Sequence, residues 1–551
     1  MGTFLDETKG LGIGNAIGID LVSDIENNGV WSGGGTEVDF GFKDQGGHSD
    51  TLKVFGTGLT RSGSSLSGTV TGVDLTVGGV HVYALSGVSM SASLFKLDLD
   101  DYNASALTEA LYAGNDKFDM RYASASGPAD SLYGGAGNDT FVFKSNFDPD
   151  DRIDGGTGND VVGIDGAYSG VVIVGQNTLT NVEDVKFQKG HSYHFDFDAD
   201  QSMKIDASAL LATDSFHGGT AYTYTSGALE VLGGAGSDEL FGALGNDKLY
   251  GNAGDDVLNG GANNDVLDGG DGNDTLVGWD NDRLTGDAGD DIIDLRAFGN
   301  FKASGGDGND TFLVEDQGGS FSIDGGAGND TIKFNGFVTG WNLGSAVKNV
   351  EKIVIDQHQG ANFTLDIGAA TAAAGQTLTV DGRSAIAVLT IDGSAEKSGA
   401  LIIEGGSNND TLVGGHGNDI LYGGAGSDHL TGGAGDDVFK FASAADSPTG
   451  SLDIVTGFDA RHDKFDLPGS VKVINSAVTV GDLSNISSVI GDHQLSKAGA
   501  VVFTPSTGTY KGDSFLIVDM NGQAGYQSGK DLVLFLDDAA HLSSLATGNF
   551  I

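Results

Sequence analysis

The feature that most constrains this chain is a nine-residue phrase, G-G-x-G-x-D-x-U-x with U a large apolar residue, repeated head to tail from Gly233 to Asp294. A unit this short cannot bury its own apolar residue, so successive units must stack and share a core. Units begin at Gly233, Gly242, Gly251, Gly260, Gly269, Gly278 and Gly286, with the Gly278 unit one residue short. A second run begins at Gly405, Gly414, Gly423 and Gly432, and single units begin at Gly134, Gly155, Gly305 and Gly325. The single units follow their neighbours by 21, 19 and 20 residues, close to two phrases each. That spacing predicts that the single units continue the same stack. A Gly/Asp linker or an acidic, salt-adapted surface would explain the composition. Neither would hold an apolar residue two places after each Asp through fifteen units.

The phrase resembles the calcium-binding nonapeptide of the repeats-in-toxin (RTX) family. The resemblance implies an all-β fold, a parallel β-roll or β-helix solenoid in which two half-turns make a coil of about eighteen residues. It also implies calcium held between loops of units i and i+2 on one edge. The residue types suit that chemistry: glycines at the first, second and fourth places let a tight loop aim carbonyls inward, and calcium takes six to eight oxygens at about 2.3 to 2.6 Å. The candidate carboxylate ligands are Asp139, Asp160, Asp238, Asp247, Asp256, Asp265, Asp274, Asp282, Asp291, Asp310, Asp330, Asp410, Asp419, Asp428 and Asp437. Counting i, i+2 pairs within the two runs predicts about seven well-formed Ca²⁺ sites. The last residues of each unit, as in Glu239-Leu240-Phe241 or Asp256-Val257-Leu258, are expected to form a short strand with its apolar residue inward.

Charge narrows the partners. The 77 acidic against 28 basic residues, a formal net charge of −49, repel phosphate backbones and anionic lipid, so neither nucleic acid nor a membrane surface is expected. No run of about 18 apolar residues exists to span a bilayer. Cysteine is absent, which rules out disulfides and leaves bound cations as the expected cross-link. Met1 to Glu7 lacks the basic and apolar segments of a secretory signal.

The chain divides by pattern into residues 1–113, β-rich and of unknown role with a short helix expected at 104–112; 114–232, a first solenoid segment with isolated repeats; 233–333, the main repeat block; 334–404, a metal-free solenoid spacer; 405–440, the second repeat block; and 441–551. The two spacers look duplicated, since Asn181-Val-Glu-Asp-Val-Lys-Phe matches Asn349-Val-Glu-Lys-Ile-Val-Ile at an offset of 168 residues. Val380-Asp-Gly, Ile391-Asp-Gly and Ile403-Glu-Gly read as strand-turn rungs without a calcium loop, and Ile205 and Leu229 mark comparable places in the first copy. After the last repeat, Asp437-Val-Phe-Lys-Phe, Asp453-Ile-Val-Thr-Gly-Phe, Asp463-Lys-Phe-Asp-Leu, Phe515-Leu-Ile-Val-Asp and Asp531-Leu-Val-Leu-Phe-Leu resemble the C-terminal domain of serralysin-type proteases. That resemblance implies an uncleaved signal for type I secretion and an extracellular location, although Asn549 stands where the family often has Asp.

Catalytic motifs are missing. None of the 11 histidines is followed by Glu, so the zinc-protease phrase His-Glu-x-x-His is absent. No Gly-x-Ser-x-Gly elbow exists, and Gly512-Asp-Ser-Phe falls in an expected strand. His191 and His194 would point to opposite faces of a strand. Asp100-Asp101 and Asp150-Asp151 read as solvated turns, and Asp519-Met-Asn-Gly-Gln is an imperfect calcium loop. The sequence therefore predicts no enzyme. It predicts a secreted calcium-binding protein that folds outside the cell and serves in a surface layer, matrix or adhesion, binding glycan or another copy of itself. The alternative is a secreted hydrolase with an unrecognised active site on the same scaffold.

Overall fold

The computed structural model describes residues 131–551, apart from the segments 146, 148–150, 169–170, 175–177, 198–202, 220–226, 280, 296–299, 316–320, 336–339, 357–361, 369–374, 398 and 448–450. Upstream it describes the backbone of five strands between residues 30 and 119, together with Asn115. The chain forms two compact units, Met1–Arg283 and Leu284–Ile551.

In the first unit, the alternating Val, Thr and Leu of the N-terminal region form four long strands, Val30–Lys43, Ser49–Ser62, Ser65–Val77 and Val80–Ser91, paired antiparallel in sequence order. The last of them pairs antiparallel with Lys117–Asp119, which in turn pairs parallel with Thr140–Phe143. From there the pairings among the described residues of this unit are parallel, and from Asp184–Phe187 on consecutive strands alternate between two main sheets, as a solenoid requires. The expected helix at 104–112 and the pair Asp100-Asp101 lie outside the described residues.

Stacking supplies the core that a single unit lacks. Leu240, Leu258 and Leu276 sit in register on one sheet, Leu249 and Leu267 on the other, and all five are fully buried. Burying each leucine is worth roughly 1.5 to 3 kcal/mol. The expected strand at Glu239–Phe241 is observed, and the one expected from Asp256 runs one residue later, Val257–Asn259. In the rungs without repeats, aromatics take over: Phe187, Phe195 and Phe216 pack with ring centroids 4.8 and 4.9 Å apart.

The second unit repeats this plan. The strands Thr377–Asp381 and Ala400–Glu404 pair on one sheet, and Leu389–Asp392 pairs with Thr411–Val413 on another, so the Val380, Ile391 and Ile403 signals mark successive half-coils. The first copy matches, with Met203–Asp206 paired to Leu229–Leu232. After the last repeat the topology changes. Asp453–Thr456 pairs parallel with Leu532–Asp537, then Ser514–Val518 and Gly499–Phe503 add antiparallel. Ile486, Ile490, Val501, Phe515, Ile517 and Val533 fill the core of this terminal sheet. Ser514 opens a strand, as its sequence context suggests. Among the described residues no helix is long and apolar enough to cross a membrane.

Candidate metal centre

Each repeat aspartate is buried, an unusual fate for a residue whose charge water stabilises. The backbone shows why it is tolerated. The N–H of Asp238 donates to Oδ1 of Asp256 at 2.7 Å, and the N–H of Asp256 donates to Oδ1 of Asp274 at 2.8 Å. On the opposite edge the N–H groups of Leu229, Asp247 and Asp265 donate in the same way to Asp247, Asp265 and Asp282, all at 2.7 Å. The second unit carries two more ladders, Asp410 to Asp428 and Asp419 to Asp437. The isolated repeats stack as their spacing predicts: Asp139 donates to Asp160, Asp291 to Asp310, and Asp310 to Asp330.

In each of these accepting carboxylates Oδ1 is thus occupied by the ladder. The other oxygen, Oδ2, is buried without a hydrogen-bond partner in Asp160, Asp247, Asp256, Asp310, Asp330 and Asp428. These oxygens face loop carbonyls. A Cβ built on Gly251 would collide with both Asp256 Oδ2 and the Gly269 carbonyl one coil on, and Asp247 Oδ2 and the Gly260 carbonyl crowd Gly242 in the same way. The first glycine of the phrase is therefore required by this close approach. In many units the second place carries the left-handed conformation, which persists where glycine is replaced, as at Ala243 with φ 81°, but Gly234, Gly406 and Gly415 do not adopt it.

Burial pushes the carboxyls of Asp256, Asp428 and Asp437 up to about 7, with neighbouring aspartates adding to the effect. Asp247, Asp274, Asp330 and Asp410 are pushed up to about 6, chiefly by the same loss of water. Such a site needs a proton or a cation. Partnerless carboxylate oxygens converging with loop carbonyls form an all-oxygen donor set, which fits calcium and suits neither zinc nor copper. Calcium would be held by the repeat aspartates and the loop carbonyls around them, and it would supply the missing positive charge.

The family comparison agrees with this geometry. The model of the RTX calcium-binding nonapeptide repeat matches residues 126–148, 150–162, 232–267, 250–280, 259–293, 280–300, 322–335 and 404–439. The chain carries RTX calcium-binding repeats. Its RTX unit at Gly305 falls between two matched stretches, yet its Asp310 carries the ladder from Asp291 to Asp330. No curated protein matches the chain.

The RTX ladders end on residues that the repeat phrase does not reveal. The N–H of Asp160 donates to Glu183 Oε2 at 2.7 Å, and the N–H of Asp330 to Glu351 Oε2 at 2.8 Å. Two residues earlier, Asn181 and Asn349 are left-handed, with φ 49° and 53°, and their amides donate to Asp154 and Asp324. The duplicated Asn-Val-Glu is thus a terminator, and only its recurrence signalled it. The second repeat block instead continues into Asp453 and Asp463, which accept from Asp428 and Asp437. Burial pushes Asp453 up to about 8.

Other acidic candidates behave differently. Asp446 accepts from the N–H of Ala442 and Ser443 and caps a local turn. Asp519 spends its oxygens on the N–H groups of Asn521, Gly522 and Ala498. Asp151 is buried, while Asp150 lies outside the described residues. The Asn549 side chain is buried and donates to the carbonyls of Ala460 and Asp463, both at 2.9 Å, which a carboxylate could not do.

Proposed function

We propose that this RTX-repeat protein is exported unfolded by a type I secretion machinery, folds on meeting extracellular calcium, and then serves as a structural element of a surface layer, matrix or adhesion, without enzymatic activity. The observation that carries the reading is the row of buried aspartates with partnerless Oδ2 atoms, exemplified by Asp247 and Asp256. An ionised carboxylate buried without a counter-charge costs several kcal/mol, so the coils are expected to hold together only when a cation is available. About seven calcium ions are expected from the pairing of units within the two repeat runs. Cytosolic calcium is scarce, which would keep the chain threadable before export. The resemblance of residues 441–551 to serralysin-type C-terminal domains supports the route, and the excess of acidic residues suits self-association or glycan binding bridged by calcium.

The test is circular dichroism during calcium titration of chelated protein, with light scattering in parallel. The expected result is a cooperative gain of β-sheet signal, followed by association at higher calcium. A β-sheet signal indifferent to both chelator and calcium would overturn the reading.

A further inference from the structure

A cluster of metal-ligating side chains lies on the outer face of strands in the first unit, bordered by Glu239, which follows the repeat aspartate Asp238. His194 and Asp196 lie two residues apart in the strand Tyr193–Phe197, whose Tyr193, Phe195 and Phe197 face the core. Alternation therefore sends His194 and Asp196 outward together. The neighbouring strand places His217 directly opposite His194, and the next places Glu239 opposite His217. The residue opposite Asp196 is Gly219, which puts no side chain into the space between them.

The polar atoms converge. His194 Nε2 lies 3.6 Å and His217 Nε2 4.0 Å from Asp196 Oδ1, and one ligand atom from each of the three residues falls within 4.8 Å of the others. Ligands about 2.0 to 2.1 Å from a tetrahedral zinc lie about 3.3 Å apart, so closure from separations of at most 4.8 Å has to bring ligand atoms together by up to about 1.5 Å. On its other side, His217 Nδ1 contacts Glu239 Oε2 at 2.5 Å. A proton on Nδ1 satisfies that carboxylate and leaves the Nε2 lone pair aimed at Asp196, the arrangement by which outer carboxylates orient metal-binding histidines. Asp196 is only 13 % exposed, which limits competition from water, while His194 at 38 % keeps the site open to solution.

We propose that His194, Asp196 and His217 form a transition-metal site selective for Zn²⁺ over Ca²⁺, with Glu239 as a positioning residue and water in the fourth position. Two imidazoles make the site nitrogen-rich, whereas calcium prefers oxygen alone. The proposal is independent of the secretion route and of the surface role.

The test is competition between the full, calcium-saturated chain and a chromogenic zinc chelator, with circular dichroism confirming that each variant keeps its fold. One zinc per chain is expected above any uptake by the calcium loops. His194→Ala and His217→Ala should each weaken it by at least about tenfold, and Glu239→Gln should weaken it about tenfold while leaving the stoichiometry at one. Should the histidine variants fail to fold, Co²⁺ added to the calcium-saturated wild-type chain is the second measurement. A d–d absorption of tetrahedral intensity that zinc abolishes supports the site. Zinc uptake unchanged in the folded double variant His194→Ala/His217→Ala, or the absence of that Co²⁺ band, would show that these residues form ion pairs only and overturn the proposal.

Discussion

At the scale of single residues, the repeat aspartate performs two jobs with its two oxygens. In Asp256, Oδ1 accepts the N–H of the aspartate one coil before, and Oδ2 stays available for a cation, whereas in Asp238, Asp282, Asp410 and Asp419 Oδ2 accepts a backbone N–H from the loop. The jobs can be separated by substitution. Asp256→Asn keeps an acceptor for the Asp238 N–H but removes the charge, so it should raise the calcium midpoint of folding several-fold while the calcium-loaded spectrum stays native. Asp446→Ala, which removes a turn cap outside the repeats and a negative charge near Asp428, should shift that midpoint less. Calcium titrations followed by circular dichroism compare the two directly.

At the scale of elements, the Asp ladders have defined ends. Glu351 satisfies the N–H of Asp330 across the last coil of its ladder. Truncation by Glu351→Ala leaves that buried donor unpaired and should destabilise the calcium-loaded protein by about 1 to 3 kcal/mol. The shift in denaturant midpoint measures it, and Glu183→Ala should behave alike because its geometry is the same. The ladders also set a pH dependence. Without metal, Asp256, Asp428 and Asp437 titrate near 7 in the folded roll against 3.8 when exposed, because burial disfavours their charge. A raised carboxyl pKa means that the folded state binds more protons. Stability is then retained below about 4 and lost as pH rises through about 7. Chelated protein should thus show more β-structure at about pH 4.5 than at pH 8. With calcium present the order should reverse, since protons compete with the ion.

At the scale of the whole molecule, a net charge of −49 and 92 glycines oppose folding together, through repulsion and through backbone entropy of roughly 1 to 2 kcal/mol per ordered residue. Both penalties fit the proposal that the chain stays unfolded until it meets calcium. The export address is expected within about the last 60 residues, whose Phe550 stacks on Phe465 with ring centroids 5.8 Å apart. Deleting residues 512–551 should trap the protein inside a type I-competent host, measured as the ratio of secreted to cell-retained protein. Undiminished export of the truncated chain would remove the assignment. The same deletion takes away two strands of the terminal sheet, but a signal read in the unfolded chain needs no folded sheet.

Local periodicity was enough to determine the solenoid, its inward leucines and all fifteen repeat aspartates, because a nine-residue period writes both the loop and the strand into every unit. It also located the metal-free rungs, since Val380, Ile391 and Ile403 recur at half-coil spacing. What the tertiary structure alone decided are relations between residues about one coil apart. Glu183, Glu351, Asp453 and Asp463 join the ladders without the repeat phrase, because membership depends on lying one coil beyond an aspartate N–H. His194 was visible as a strand residue, yet its partner is His217, 23 positions away, and not the nearby His191. Sequence spacing determines which side of a strand a residue occupies. Coil length and loop insertions determine what stands beside it, and those emerge only when the strands pair.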